Sequence, residues 1–133
     1  MLNLLSMVQI SDNDFEELIN RALDELPAKY IEGLKNVAIT YEDEPTPIQR
    51  EKLKLNCHET LFGLYEGIPL TKRGAGYNLV LPDKITIFKG PMTSLSPDAS
   101  NLFARVKHTL WHEIAHYYGL DHDRIHSIER HWR

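Results

Sequence analysis

The chain has 133 residues, a formal net charge of −4, 42% hydrophobic residues and one cysteine, Cys57. This length predicts a single domain over residues 1–133, and one cysteine excludes an internal disulfide. Net acidity argues against nucleic-acid binding, and no apolar run reaches the length of a membrane span. Residues 1–10 lack the basic start of a signal peptide, so we expect a cytoplasmic protein.

The first third of the chain predicts a helix followed by a strand. Apolar residues recur at helical spacing over 11–27, where Ser11 or Asp12 is a suitable N-cap and Pro27 ends the helix. Residues 37–42 alternate apolar and polar side chains, which indicates a strand with one buried face.

The middle of the chain predicts a loop and then three further strands. Residues 42–56 indicate a loop with at most a short helix after Pro47. We interpret the apolar stretch 60–67 as a strand, and residues 77–90 as two strands around Pro82-Asp83, the first of which contains Tyr77–Leu81. The sheet therefore has about four strands.

The longest helical pattern lies near the end of the chain. Ser96 is a suitable N-cap, Pro97 suits the first helical position, and Asp98 suits the positive end of the helix dipole. Gly119 ends this helix, and a short last helix follows from Asp123. A helix, a mixed sheet and a C-terminal helix together predict an α+β domain.

A metal-binding pattern occupies the end of this long helix. His116 lies about 40° around the helix from His112, and Glu113 lies about 100° from it. Gly119 then allows a left-handed turn that brings His122 back toward the first two histidines. We expect the histidines beside the core face rather than inside it. That face comprises Phe103, Val106, Leu110, Ile114 and Tyr117.

The spacing predicts a catalytic zinc site. Zn²⁺ prefers nitrogen and sulfur ligands, and a catalytic site uses three protein ligands and a water molecule. We predict His112, His116 and His122 as the ligands and Glu113 as the general base. A structural zinc site is disfavoured because such sites commonly use several cysteines and this chain has one.

Several other polar residues are weaker candidates. We predict that His108 is solvated rather than a support for His112, and that Asp121 or Asp123 accepts a hydrogen bond from a ligand imidazole. His126 and His131 are predicted to lie on the surface. Tyr77, Tyr117 and Tyr118 are candidates for stabilising an oxyanion. The angular position of Tyr117 on the helix, however, places it in the core.

At these residues the chain resembles zincin metallopeptidases, and in particular a family of short, metzincin-like bacterial proteins described as zinc-dependent peptidases. The resemblance covers residues 15–128 and rests on "EDEP", "GLYEGIPLT", "LPDKITIFKGP" and "HEIAHYYGLDHDRI". It implies a small zincin-like fold and a zinc-dependent hydrolase. Many members of the family have a carboxylate where His122 stands. The methionine turn of the larger metzincins does not follow His122 in residues 123–133.

Three functions remain open. A zinc peptidase would bind a peptide or an unfolded protein along a sheet edge, for which Tyr77–Leu81 is our candidate. A metal-dependent endoribonuclease is the first alternative, because bacterial rRNA-maturation nucleases have a similar three-histidine rhythm that ends in "GLDH"-like residues. Those nucleases typically have glycine at the position of Glu113, which favours the peptidase. The second alternative is a non-catalytic zinc domain that binds a protein partner.

Overall fold

The computed structural model describes residues 8–56, 62–74 and 81–131. Within these ranges the chain forms six helices and three strands, as predicted for an α+β domain. In chain order they are α1 Asp12–Glu25, α2 Ala28–Glu32, β1 Val37–Glu42, α3 Pro47–Asn56, β2 Gly63–Glu66, β3 Asp83–Phe88, α4 Lys89–Leu95, α5 Ala99–Tyr117 and α6 His122–His131, with a 3-10 turn at Leu70–Lys72 before β3.

The sheet has the order β1-β3-β2, so β3 is central. β1 runs parallel to β3, with Ile39 beside Ile85, and β2 runs antiparallel to β3, with Tyr65 beside Ile85. Ile85 and Ile87 of β3 are fully buried, as the branched residues of this strand predict. β2 is therefore the outer strand of the described sheet on the side where the functional residues lie.

The core lies between the sheet, α1 and α5. α5 contacts α1 on one side and strands β2 and β3 on the other. Phe15 of α1, Met92 of α4 and Trp111 of α5 are fully buried in this core. In the described ranges, no helix combines the length and the apolar character that crossing a membrane requires.

Strand number is one point where the described residues differ from the sequence analysis. The described residues form three strands rather than about four. The predicted strands at 37–42 and 60–67 correspond to β1 and β2, and the strand predicted after Pro82-Asp83 corresponds to β3. The predicted strand Tyr77–Leu81 falls largely on residues 75–80, which lie outside the described ranges, so it stays a prediction.

A second correction concerns residues 47–56, where the sequence indicated at most a short helix. They form the ten-residue helix α3. Its start is a capping box, because Gln49 N–H donates to Thr46 Oγ1 at 3.1 Å and Thr46 N–H donates to Gln49 Oε1 at 2.9 Å. The signal was present as Thr-Pro-Ile-Gln, with proline at the first helical position.

The start of the metal-binding helix is a third correction. Asp98, not Ser96, is the N-cap of α5, because its carboxylate accepts the Asn101 N–H at 2.8 Å. Ser96 instead ends α4, where its buried hydroxyl donates to the Met92 carbonyl at 2.7 Å. The last predicted helix is confirmed as α6, which begins at His122.

Candidate metal centre and active site

Most of the second half of α5 is buried. Every residue from Thr109 to Ala115 is buried, including His112 and Glu113. The prediction that the histidines lie beside the core is therefore wrong for His112. The cause is tertiary, because α1, the sheet and α6 together cover the polar face of α5 as well as its apolar face.

α5 ends in a turn that reverses the chain toward the histidines. Gly119 has φ +75°, and Gly119 N–H donates to the His116 carbonyl at 3.0 Å. Leu120 N–H donates to the Ala115 carbonyl at 3.1 Å, which completes a Schellman motif with glycine in the left-handed position. The exit through Gly119 is thus confirmed as the sequence predicted it.

α6 is held against α5 so that its first residue faces the other two histidines. The buried indole N–H of Trp111 donates to the Ile125 carbonyl at 3.1 Å. Asp121 caps α6, because its carboxylate accepts the Arg124 N–H at 2.8 Å. His122 is therefore fixed by a hydrogen bond in the core and by a helix cap.

The three predicted ligands come together. The ring centroids of His112 and His116 are 4.7 Å apart, and that of His122 lies 5.4 Å from the first and 5.6 Å from the second. One ring nitrogen from each lies within 4.8 Å of the others. A single ion between these rings can therefore contact all three, and imidazole nitrogens suit Zn²⁺.

Glu113 supplies a buried carboxylate beside this cluster. Burial raises the pKa of Glu113 to about 8, and a hydrogen bond from the Tyr65 backbone N–H partly offsets that rise. Its Oε2 atom is buried and accepts no hydrogen bond from the described residues. A buried carboxyl group with unmet bonding capacity is costly in isolation. A cation or a polarised water molecule beside it would satisfy that capacity, so the residues fit a metal site.

A cleft of about 350 Å³ opens onto the site. Glu113 and His116 of α5 line it, together with Leu53 of α3. β2 contributes Gly63, Leu64 and Tyr65, and the following segment contributes Gly67, Pro69 and Lys72. Glu113 and His116 can therefore be reached from outside through the cleft.

A buried polar network fixes β2 beside the cleft, and the sequence analysis missed it. The Asp83 carboxylate accepts the Tyr65 hydroxyl at 2.5 Å and the Arg73 guanidinium at 2.6 Å. Arg73 Nε also donates to the Ile68 carbonyl at 2.8 Å. Burial, the Asp83 hydrogen bond and the Asp83 charge all raise the pKa of Tyr65. These partners lie apart in sequence, so no local pattern announces the network.

His108 departs from the prediction of a simply solvated residue. Its side chain is 42% exposed, but its Nδ1 lies 2.6 Å from Oε2 of Glu129, which is buried. Its ring also lies 6.1 Å from that of His112. Of the two histidines predicted on the surface, His131 is exposed and His126 is half-buried, with its ring 6.5 Å from that of His122.

The two tyrosine candidates for oxyanion stabilisation that the structure describes form hydrogen bonds elsewhere. The Tyr117 ring is fully buried, as its position on the helix predicted, and its hydroxyl accepts the Lys35 N–H at 2.9 Å. The Tyr118 hydroxyl donates to the Tyr30 carbonyl at 2.6 Å. Tyr77 lies outside the described residues. The two described hydroxyls therefore support the segments before β1.

The α+β fold and the histidine cluster together fit a metal-binding domain of the zincin type. The family model described as "Zincin-like metallopeptidase" matches residues 34–132. The chain belongs to this family, which implies a bound divalent metal ion, typically zinc.

The fold of the chain is also found in a solved structure. The chain is similar to a solved conserved hypothetical protein from Thermus thermophilus, with 23% identity and a TM-score of 0.51. The similarity covers 80% of this chain and 92% of that one, and it shows the fold. No protein with a curated description matches the chain.

Proposed function

We propose that this protein is a zinc-dependent peptidase in which His112, His116 and His122 bind the metal and Glu113 is the general base. One observation carries the proposal: a buried carboxylate follows directly after one of three clustered imidazoles, and it lines an open cleft together with His116. A site that only held the fold together would need neither the carboxylate nor the access.

Glu113 handles the proton in the proposed reaction. It borders the cleft, where it can accept a proton from the water that attacks the substrate carbonyl and return that proton to the leaving amine. The hydrogen bond from the Tyr65 N–H orients this carboxylate. A bound zinc ion supplies the positive charge that lowers the pKa of a water molecule toward 7 and polarises the carbonyl.

We propose that the substrate is an extended peptide or an unfolded protein. Phe88 N–H donates to the Phe62 carbonyl at 2.8 Å, and Leu64 pairs with Thr86. Alternation along an antiparallel ladder then directs the backbone groups of Gly63 and Tyr65 away from β3, toward the outer edge of the sheet. The carbonyls of Gly63 and Tyr65 and the Gly63 N–H can pair with a substrate strand. β2 thus replaces Tyr77–Leu81 as our candidate edge.

We also propose that the protein functions in the cytoplasm, and its cysteine content supports this location. Only one cysteine is present, so the fold needs no oxidising compartment for a disulfide of its own. Fractionation of cells that produce the protein tests this assignment.

Hydrolysis assays with zinc-loaded protein test the proposal. We expect cleavage of an unfolded protein and of a random peptide mixture, loss of cleavage on chelation, and recovery when zinc is restored. The same protein is also assayed with RNA, which is the substrate of the alternative endoribonuclease function. Cleavage of RNA without cleavage of peptides would instead support the endoribonuclease, and zinc held by four protein ligands without a water would support the non-catalytic domain.

A further inference from the structure

The 3-10 turn Leu70–Lys72 forms one wall of the cleft and brings a positive charge to it. Lys72 lines the cleft together with Glu113 and His116, and its side chain is exposed. Apart from these three residues, the residues that line the cleft have no ionised side chain at neutral pH. A lysine in this position bears directly on which substrates the site accepts.

Two neighbouring cationic residues have an acidic partner, whereas Lys72 has none among the described residues. Arg73 is paired with the buried Asp83 at 2.6 Å, and Lys52 is paired with Glu66 at 2.5 Å. Among residues 8–56, 62–74 and 81–131, no ion pair involves Lys72. The charge of Lys72 is therefore available to a ligand in the cleft.

The turn that carries Lys72 is fixed on both sides. The Lys72 N–H donates to the Pro69 carbonyl at 2.9 Å, and the next residue, Arg73, joins the turn to β3 through Asp83. On the other side Thr71 packs so closely against Gly119 that a Cβ there would overlap its hydroxyl. A fixed backbone lowers the ordering cost of binding, since only the lysine side chain must be immobilised.

We propose that Lys72 is a specificity-determining residue that selects peptides with a carboxylate near the scissile bond. The carboxylate can belong to an acidic side chain or to the C-terminus of the peptide. The inference rests on the proposed peptidase function and names its substrate class. An ammonium group attracts either carboxylate through the same Coulomb interaction, and the low-dielectric walls of a cleft strengthen it.

The test uses zinc-loaded protein and two sets of fluorogenic peptides. Within a set, the peptides share one parent sequence and differ in a single group. One arm compares Glu with Gln at each position beside the scissile bond, and the other compares a free C-terminal acid with its amide. In at least one arm we expect a KM roughly two- to fivefold lower for the carboxylate, the range of an ion pair with an exposed lysine. The difference should shrink as ionic strength rises.

Substitutions of Lys72 assign this preference to the residue. Lys72→Ala should abolish the discrimination, Lys72→Arg should retain it, and Lys72→Glu should reverse it toward peptides with lysine at the same position. Lys35→Glu is the matched control, because Lys35 is exposed, lies outside the cleft lining and undergoes the same change in charge. Equal KM values in both arms, or discrimination that survives in Lys72→Ala, would overturn the proposal.

A binding measurement separates this inference from the proposed function. If wild-type protein cleaves no peptide, the peptidase function is wrong, and anisotropy of the same labelled peptides with zinc-loaded Glu113→Gln decides the role of Lys72. Tighter binding of the carboxylate peptides that is lost in Glu113→Gln/Lys72→Ala would keep Lys72 as a carboxylate site. Equal binding would overturn that role as well.

Discussion

Gly119, which ends the metal-binding helix, lies in direct contact with Thr71 of the turn that forms one wall of the cleft. A Cβ added to Gly119 would overlap the Thr71 side chain, and the glycine also has a left-handed backbone with φ +75°. One residue thus serves two functions. It turns the chain toward His122, and it allows the wall of the cleft to approach the end of α5.

Gly119→Ala should destabilise the protein by about 2–4 kcal/mol, because it adds left-handed strain to a steric overlap. Zinc affinity should also fall, since His122 follows the altered turn. Chemical denaturation and a zinc competition titration measure the two effects. Gly74→Ala is the matched control, because a Cβ at Gly74 meets no atom within 4 Å. Equal behaviour of the two variants would contradict this account.

His122→Ala should weaken zinc binding by at least roughly 100-fold, because even loss of a group that supports a ligand commonly costs about 10- to 100-fold. Competition with a fluorescent zinc chelator measures the affinity. His131→Ala serves as a control, since His131 is exposed at the end of α6 and bonds the Ser127 carbonyl. Unchanged affinity in His122→Ala would show that another group is the third ligand.

Tyr65→Phe should change how stability depends on alkaline pH. Burial and the Asp83 carboxylate raise the pKa of Tyr65 above the ordinary value of 10.0. Above that pH the unfolded phenol loses its proton while the folded one keeps it, so the wild-type free energy of unfolding falls as pH rises. Denaturation at a series of pH values from about 8 to 11 should give a shallower fall for Tyr65→Phe. Parallel curves would contradict the assignment.

Asp83→Asn should cost roughly 3–5 kcal/mol, because it leaves the buried Arg73 guanidinium without its counter-charge. The two side chains are only 5% and 9% exposed. Glu51→Gln is the control, since Glu51 pairs with Lys54 on the surface and its loss should cost less than about 1 kcal/mol. Similar losses for the two variants, measured by denaturation, would show that the buried network contributes little.

The histidine cluster was predictable because its geometry is local. The 3.6-residue period of α5 puts His112 and His116 on one flank, and a glycine at position 119 predicts the turn that returns His122. The burial of His112 was not predictable, since it depends on α1, the sheet and α6 covering α5. A helix pattern describes which residues share a face, not what covers that face.

The buried polar network beside the cleft could not be predicted from the sequence for the same reason. Tyr65, Arg73 and Asp83 meet across a strand pair and a loop, and nothing in their spacing brings them together. In contrast, α3 was missed although its capping box is local. The Pro- and Glu-rich residues around Thr46 suggested a loop and hid that signal.

The most direct test of the central claim measures bound zinc and peptide hydrolysis together in wild-type protein and in Glu113→Gln. The variant keeps all three histidines and the size of the side chain, so we expect equal zinc content. Hydrolysis should fall by at least roughly 100-fold, because general-base catalysis commonly contributes about 10²- to 10⁴-fold. Zinc-dependent hydrolysis at the wild-type rate in Glu113→Gln would contradict the assigned mechanism.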